Sequence, residues 1–300
     1  MVSGHQEQRR FRLTYRTRQQ TWGVLFVLPV VLLFVVFRLY PMLSAIVLSF
    51  ESYDLISKPR WVGLANYQFL FSNDQVLTSF RVTVEFVIFE TIPLVVLALT
   101  LAFALYALPR LRHLFEAIYY YPVVMTAVVA ALIWLTLYYP RGFMDQLVAP
   151  FFPLGVPWLT NATLALPSVI VVDIWKSIGY YMIILLAGLL AIPVEYVEAA
   201  KIDGASGLQW MHRIVMPLLK PQLLFVVAIA LINTVQAFDT FYVMTRGGPA
   251  DATRVLPIEI YLRGFQLLQM GRAAAVSLVM FVFLMIMSLI QLRIFGTEGY

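Results

Sequence analysis

EAAKIDGASGLQWMHRIVMP, residues Glu198–Pro217, is a polar and amphipathic segment set between two long apolar runs. Its pattern predicts helix, turn, helix. Ile192-Pro193 opens the first helix, because proline is tolerated in a first turn, where its missing N–H costs nothing. VEYVEAAKI continues it, and Asp203-Gly204 ends it, since glycine adopts the backbone angles that close a helix without steric cost. Ser206 and Gln209 have the spacing of a capping box for a second short helix reaching about Val215, and Pro217 and Pro221 bracket the next apolar run. Two uses suit such a segment. It can lie in the membrane interface as a connecting hairpin. It can equally be a docking knob, with a small Ala199-Ala200 surface, a glycine bend and an exposed Trp210 entering a partner's groove.

The rest of the chain says where this segment sits. Of 300 residues, 61% are hydrophobic and 12% charged, with a mean hydropathy of +0.84. An ordinary soluble domain is about a quarter charged, so this chain has too few charges to cover a globular surface. A spanning helix needs roughly 20 apolar residues. Six runs qualify: 22–50, 80–108, 115–138, 167–191, 218–244 and 273–295. Only helices satisfy every backbone group in hydrocarbon over such lengths, so the expected fold is all-α and polytopic. Residues 1–21 form a basic tail, 22–300 the transmembrane domain, and 192–217 the segment quoted above. The first run is too long for a signal peptide, lacks a small-residue cleavage site and continues through Tyr40-Pro41, so it is expected to stay attached.

Arg9, Arg10, Arg12, Arg16 and Arg18 precede the first span and place the N-terminus in the cytoplasm by the positive-inside rule. An even number of spans returns the C-terminus to that side. Arg110 and Arg112 after the second span agree, as do Lys201, Arg213 and Lys220 around the quoted segment. Arg246, Arg254, Arg263 and Arg272, between the fifth and sixth spans, run against this orientation. The early cluster and the span count outweigh them.

EAAKIDGA followed by IVMPLLKP resembles the EAA loop of ATP-binding-cassette importer permeases, with Met216 where leucine is common. RLYPMLSAIVLSFESYDL, WVGLANYQFLFSN, FEAIYYYPVVMTAVVAALIW and FDTFYVMTRGGPADAT resemble, in order, the carbohydrate permeases of the maltose and glycerol-phosphate type, over about residues 22–295. The last of these stretches looks like the maltose-type first permease. The resemblance implies a prokaryotic inner-membrane protein that takes a sugar, oligosaccharide or polyol phosphate from an extracytoplasmic solute-binding protein. It implies a second permease subunit, two ATPase subunits and surrounding lipid as partners, with no nucleic acid. Glu198, Ala199, Ala200, Asp203, Gly204 and Ala205 would then couple to an ATPase subunit.

No GxxxxGK[ST] phosphate loop is present, so this chain cannot cradle nucleotide phosphates in the usual way, and ATP and magnesium are expected on the partner subunits. The chain has no cysteine, and His5, His113 and His212 lie in separate segments without metal-ligand spacing, so neither metal site nor catalytic constellation is expected. Asn161-Ala162-Thr163 matches a glycosylation triplet of a kind frequent by chance. Glu85 and Glu90 are five positions apart on the second span and do not share a face. Arg81 with Glu85, and Asp173 with Lys176, have helical spacing for local ion pairs, although intramembrane charges also mark transport pathways. A secondary transporter would usually show more spans and an internal repeat, and a membrane enzyme a polar catalytic group on a span.

WKSIGYYM places Ser177, Tyr180 and Tyr181 within about one helical turn, interrupted by Gly179, and NTVQAFD adds Asn233, Thr234, Gln236 and Asp239 to an otherwise apolar span. Such groups are expensive in hydrocarbon unless they face protein or water. They suit interhelical hydrogen bonds. They also suit a sugar, whose hydroxyls meet amides while its ring face meets aromatics such as Tyr180 and Phe238. In resembling permeases the positions matching Ser177, Tyr180, Asn233, Thr234 and Ala237 line the sugar site. Ala237 stands where the maltose-specific member has an amide, which points to a different or smaller sugar.

Overall fold

The structure, a computed structural model, describes residues 4–202, 204 and 206–295. Asp203 and Ala205 lie outside the described residues. Among the described residues five helices are long and apolar enough to cross a membrane: Gln19–Leu48, Asp74–Tyr106, Ala162–Leu190, Met211–Met244 and Met270–Ile294. A pair of shorter helices, Arg112–Val124 and Ala127–Leu137, bent by 98°, passes the same test only when taken together, as a broken span or a re-entrant loop. The chain is an all-α multi-pass membrane protein, with one two-residue antiparallel ladder outside the spans, β1 (Glu51–Ser52) against β2 (Arg60–Trp61).

The first span begins earlier than its apolar pattern. Helix α1 (Gly4–Phe34) absorbs most of the segment expected as a tail. It passes through a π-helical turn, Val35–Leu39, into α2 (Tyr40–Leu48), where the Tyr40 N–H donates to the Val35 carbonyl one residue further back than in an α-helix. Pro41 follows at once. Proline cannot donate and crowds the carbonyl four residues before it, and a widened turn relieves both problems without breaking the helix. The same arrangement recurs before Pro217: α10 (Gly207–Trp210) runs through a π turn, Met211–Val215, into α11 (Met216–Val235), with the Met216 N–H donating to the Met211 carbonyl. Pro217 and Pro221 therefore lie inside one continuous helix and do not bracket the span.

Between these come α3 (Ala65–Ser72), α4 (Asp74–Tyr106), α5 (Arg112–Val124), α6 (Ala127–Leu137), α7 (Phe143–Val148), α8 (Ala162–Leu190) and α9 (Val194–Ile202); α12 (Asp239–Met244), α13 (Leu256–Tyr261) and α14 (Met270–Phe295) complete the order. Side chains set several helix starts. Asn73 Oδ1 accepts from the Val76 N–H (3.2 Å) at α4, and Asn161 Oδ1 from the Thr163 (2.8 Å) and Leu164 (3.3 Å) N–H groups at α8. The glycosylation-like triplet is thus a helix cap. Arg112 closes the opposite end of α4 by donating to the Leu105 (3.3 Å) and Tyr106 (3.4 Å) carbonyls.

The third expected span is not one straight helix. Pro122 lies in the last turn of α5, Met125 and Thr126 take extended angles, and Thr126 Oγ1 restarts the chain as α6 by capping the Val129 N–H at 3.3 Å. The fifth span is also interrupted, between α11 and α12, at Gln236–Phe238.

Helices α4, α8 and α11 pack together at the centre, with α5 along α8. Small residues permit the close approach: a Cβ on Gly179 would stand 2.0 Å from the Tyr119 carbonyl oxygen of α5. Two apolar clusters result. One holds Phe86, Val169, Val172 and Phe241; the other holds Leu94, Ala98, Met182, Leu185, Val226 and Ala230. The first span contributes almost nothing to either. Its most apolar window is 0% buried, and α2 alone lies against α14.

Three of the four arginines between the fifth and sixth spans, Arg254, Arg263 and Arg272, are folded into the connection between those spans. Glu259, fully buried, accepts from Arg254 Nε at 2.6 Å and from Arg263 Nε, while Arg254 Nη1 reaches Asp251 (3.0 Å) and Arg263 Nη2 reaches Asn73 (3.0 Å). Arg272 lies over the Phe69 ring at 3.8 Å. These charges are tied into packing.

Candidate functional site

On each central helix a polar stretch separates the two apolar clusters. It is Glu90 on α4, Asp173–Ser177 on α8, and Asn233–Thr240 across the α11–α12 break. Stacked side by side, these stretches line a half-open cavity of about 260 Å³. Glu90 lies near the midpoint of a 33-residue helix, which sets the polar layer at mid-membrane depth. The interrupted spans converge on this layer. Ala127, the first residue after the bend in the third crossing, lines the cavity, as do Gln236, Ala237 and Phe238 at the break in the fifth.

The polar groups are cross-linked between helices. Glu90, 1% exposed, accepts through Oε2 from Thr234 Oγ1 of α11 and from its neighbour Thr91 Oγ1 (3.3 Å). Thr240 Oγ1 of α12 donates to Asp173 Oδ1 at 3.1 Å, and Asn233 Nδ2 donates to Tyr181 Oη at 3.0 Å. Ser177 Oγ donates back to the Asp173 carbonyl at 2.6 Å, inside its own helix. Buried polar groups linked in this way cost little, because each has found a partner.

Of the six residues expected at a substrate site, Ser177, Asn233, Thr234, Gln236 and Ala237 line this one cavity. Tyr180 does not: it lies edge-on to Tyr181 (5.2 Å between centroids, 79°) and packs into the second apolar cluster. Tyr181, one residue on and about 100° around the helix, takes the cavity-facing place. Glu90, Asp173 and Lys176 also line the cavity; the sequence reading weighed Asp173 and Lys176 as a local pair or as cavity-lining charges and did not place any of the three at the site. Among the described residues no ion pair within 4.0 Å joins them, and Asp173 turns to Thr240 on another helix. The available signal was the presence of carboxyl groups inside apolar runs, which is itself a marker of function. Arg81 and Glu85 do pair, at 3.6 Å and with side chains 71% and 43% exposed, on the lip of a separate groove.

The segment quoted at the outset forms a second feature. α9 ends at Ile202 and Gly204 takes φ +69°, a left-handed conformation that glycine adopts without strain. The capping box is present: Ser206 N–H donates to Gln209 Oε1 (2.9 Å), and Gln209 N–H to Ser206 Oγ (3.3 Å). Glu198 and Ala199 are exposed, whereas Ala200 is buried against the body. Trp210 is not the exposed docking group that was expected. It is half-buried and stacks on Tyr106 of α4 (6.1 Å, 28°), so it ties the segment to the second apolar cluster.

Residues 80–295 match the family described as binding-protein-dependent transport system inner membrane component. A protein of Bacillus subtilis (strain 168) named "probable ABC transporter permease protein" is 33% identical over 292 residues, 93% of this chain and 90% of its own length. The sn-glycerol-3-phosphate transport system permease protein of Agrobacterium fabrum (strain C58) is 34% identical over 276 residues, 90% of this chain and 92% of its own. A chain of a crystallised bacterial ABC transporter involved in import of the acidic polysaccharide alginate shares the fold with a TM-score of 0.80 over 96% of this chain and all of that one, at 22% identity.

Proposed function

The chain belongs to the family of binding-protein-dependent transport system inner membrane components, and from that premise we propose that it is one permease of an ATP-driven sugar or polyol importer. The observation that carries this reading is the polar layer at the breaks of two spans. A side-chain-lined cavity between two apolar clusters at mid-membrane depth is a place where a hydroxylated solute can pause while both membrane faces stay sealed. The solute-binding protein delivers cargo from outside. A second permease completes the pathway, and two ATPase subunits bind ATP and magnesium. One of them docks on Glu198–Ala200 and the Gly204 turn, whose connection through Trp210 to α4 and into α11 gives docking a rigid route toward the cavity.

Both termini are cytoplasmic in this reading. This orientation would put Leu154, fully exposed after α7, outside and Ser206 inside. Single cysteines at these two positions, in a chain that has none of its own, should label from opposite faces of sealed vesicles; labelling from one face overturns the orientation. Purification should retain an ATPase subunit, and reconstituted uptake should require both ATP and the binding protein. Uptake by this chain alone would make it a secondary transporter and end the proposal.

A further inference from the structure

APFFPLGVP, residues 149–157, forms the tip of the connection between α6 and α8, and from Gln146 to Val172 the chain carries no charged side chain. Phe143 and Leu147, one turn apart on α7, are exposed, and Phe151 and Phe152 beyond its end are exposed too, Phe151 at 82%. Asp145, two positions from each of the first pair and so on the opposite side of the helix, is buried. Large apolar side chains turned outward so close together mark a contact surface. We propose that this loop anchors the chain in the bilayer, with Phe143, Leu147, Phe151 and Phe152 seated at the boundary between headgroups and acyl chains on their side of the membrane.

Main chain that enters such a boundary must satisfy its own polar groups. The loop is built to do so. Pro150, Pro153 and Pro157 have no N–H to place, Phe151 and Phe152 both donate to the Val148 carbonyl at 2.9 Å, and Gly155 donates to the Phe152 carbonyl at 3.0 Å. The carboxylate of the loop is folded inward: Asp145 accepts from the Arg141 N–H (2.9 Å), the Val156 N–H (3.2 Å) and Trp158 Nε1 (2.8 Å). Gly155 permits this closure, since it takes φ +80° and a Cβ there would stand 2.8 Å from Asp145 Oδ2. At the base of the loop Tyr139 and Arg141 are exposed, and both residue types settle among headgroups. Among the described residues the Leu154 N–H donates to no carbonyl, so after Pro153 the chain returns to the hydrated level, within reach of reagents in the external solution.

Charge separates lipid from a protein partner. In the orientation proposed above, two other connections share this side of the membrane, and both are charged: residues 51–74 carry Glu51, Asp54, Lys58, Arg60 and Asp74, and residues 245–272 carry Asp251, Glu259 and four arginines. A soluble binding protein that docks and leaves uses polar, solvated surface of that kind. The uncharged loop instead continues the apolar surface of the spans it joins, where Leu132 of α6 and Val171 of α8 are exposed.

The test uses the full chain, which has no cysteine, so single cysteines carry a nitroxide without background. Leu147→Cys and Phe151→Cys are labelled and reconstituted in phosphatidylcholine vesicles. Lys58→Cys is the aqueous reference, and Ile92→Cys, exposed near the middle of α4, is the lipid reference. At Leu147 and Phe151 collisions with oxygen should exceed those with a water-soluble nickel chelate, as at Ile92, at a depth of about 5–10 Å into the boundary. Phe143→Asp with Phe152→Asp should reverse that order at Leu147 by expelling the loop. Chelate access at Leu147 and Phe151 equal to that at Lys58 overturns the proposal. Shielding from both reagents, in the chain alone or in the assembled importer, makes the loop a protein contact and overturns it as well. If the doubly charged variant fails to fold, the two single labels still decide. None of these readings requires transport, so the anchor and the importer reading stand or fall separately.

Discussion

Gly179→Ala puts the central helix contact to the test. A Cβ at this position stands 2.0 Å from the Tyr119 carbonyl oxygen, 2.6 Å from its carbonyl carbon and 3.0 Å from Tyr120 Cα. All three are main-chain atoms and cannot swing aside. Helix α5 must retreat by about 1.4 Å to restore ordinary van der Waals contact near 3.4 Å. Overpacking of this kind costs about 1–3 kcal/mol, at the upper end where the obstacle is backbone, while alanine returns about 1 kcal/mol of helix propensity. The net loss of about 1–2 kcal/mol should lower the melting temperature of the purified protein by about 3–6 °C. The displacement also carries the end of α5 and the Thr126 cap with it, so Ala127 moves in the cavity wall and uptake falls in the assembled importer. Gly23→Ala is the control, since nothing lies within 4 Å of a Cβ there. If Gly179→Ala melts at or above the wild-type temperature and transports normally, the close-packed α5–α8 contact does not hold the cavity in shape.

Gly204→Val should preserve insertion, because the added Cβ meets nothing within 4 Å, yet abolish cargo-stimulated ATP hydrolysis by straining a turn at φ +69°; retained stimulation in the assembled complex refutes a coupling role, and loss of the protein itself would make the glycine a folding requirement. Glu259→Ala leaves the buried Arg263 guanidinium without its carboxylate and Arg254 with Asp251 alone, and should cost about 3–5 kcal/mol. Glu85→Ala, removing an exposed pair, should cost about 0–1 kcal/mol, and equal melting temperatures for the two variants would show the triad to be inert. The Asp145 carboxylate is held below the usual range by N–H donors from Arg141, then Val156, then Trp158, so its stabilisation of the 139–161 loop is complete above about pH 4 and is lost as pH falls through the depressed folded value. Proteolysis of that loop should therefore separate wild type from Asp145→Asn at neutral pH and converge in acid; a pH-independent difference would contradict this.

Features legible in the sequence were those decided within a few residues. The Gly204 turn and the Ser206–Gln209 box are local chemistry, and the spans follow from hydropathy over about 20 residues. What escaped depends on neighbours. The apolar run 115–138 gives no sign that α6 must turn aside to pack on α12, and Thr126 is one hydroxyl in a hydrophobic stretch. Choosing between Tyr180 and Tyr181 requires knowing which side of α8 meets α11. Helical spacing suggested that Asp173 pairs with Lys176; the partner it found, Thr240, is 67 positions away. For the cavity, residue chemistry singled out Ser177, Asn233, Thr234, Gln236 and Asp239, the family resemblance added Ala237, and geometry added Glu90, Asp173 and Lys176.

The helix breaks at Met125–Thr126 and Gln236–Phe238 leave main-chain groups outside the helical ladder at the level of the polar layer. A helix that stops leaves amide donors at its start and carbonyl acceptors at its end, and those groups are present whatever side chains the positions carry. In the proposed cargo site, substitutions at Ala237, Ser177 or Gln236 would therefore change the side chains of the recess while the helix break beside them stays in place. On the proposed reading, a lineage built on this frame exchanges one cargo for another by a few point changes without rebuilding the spans.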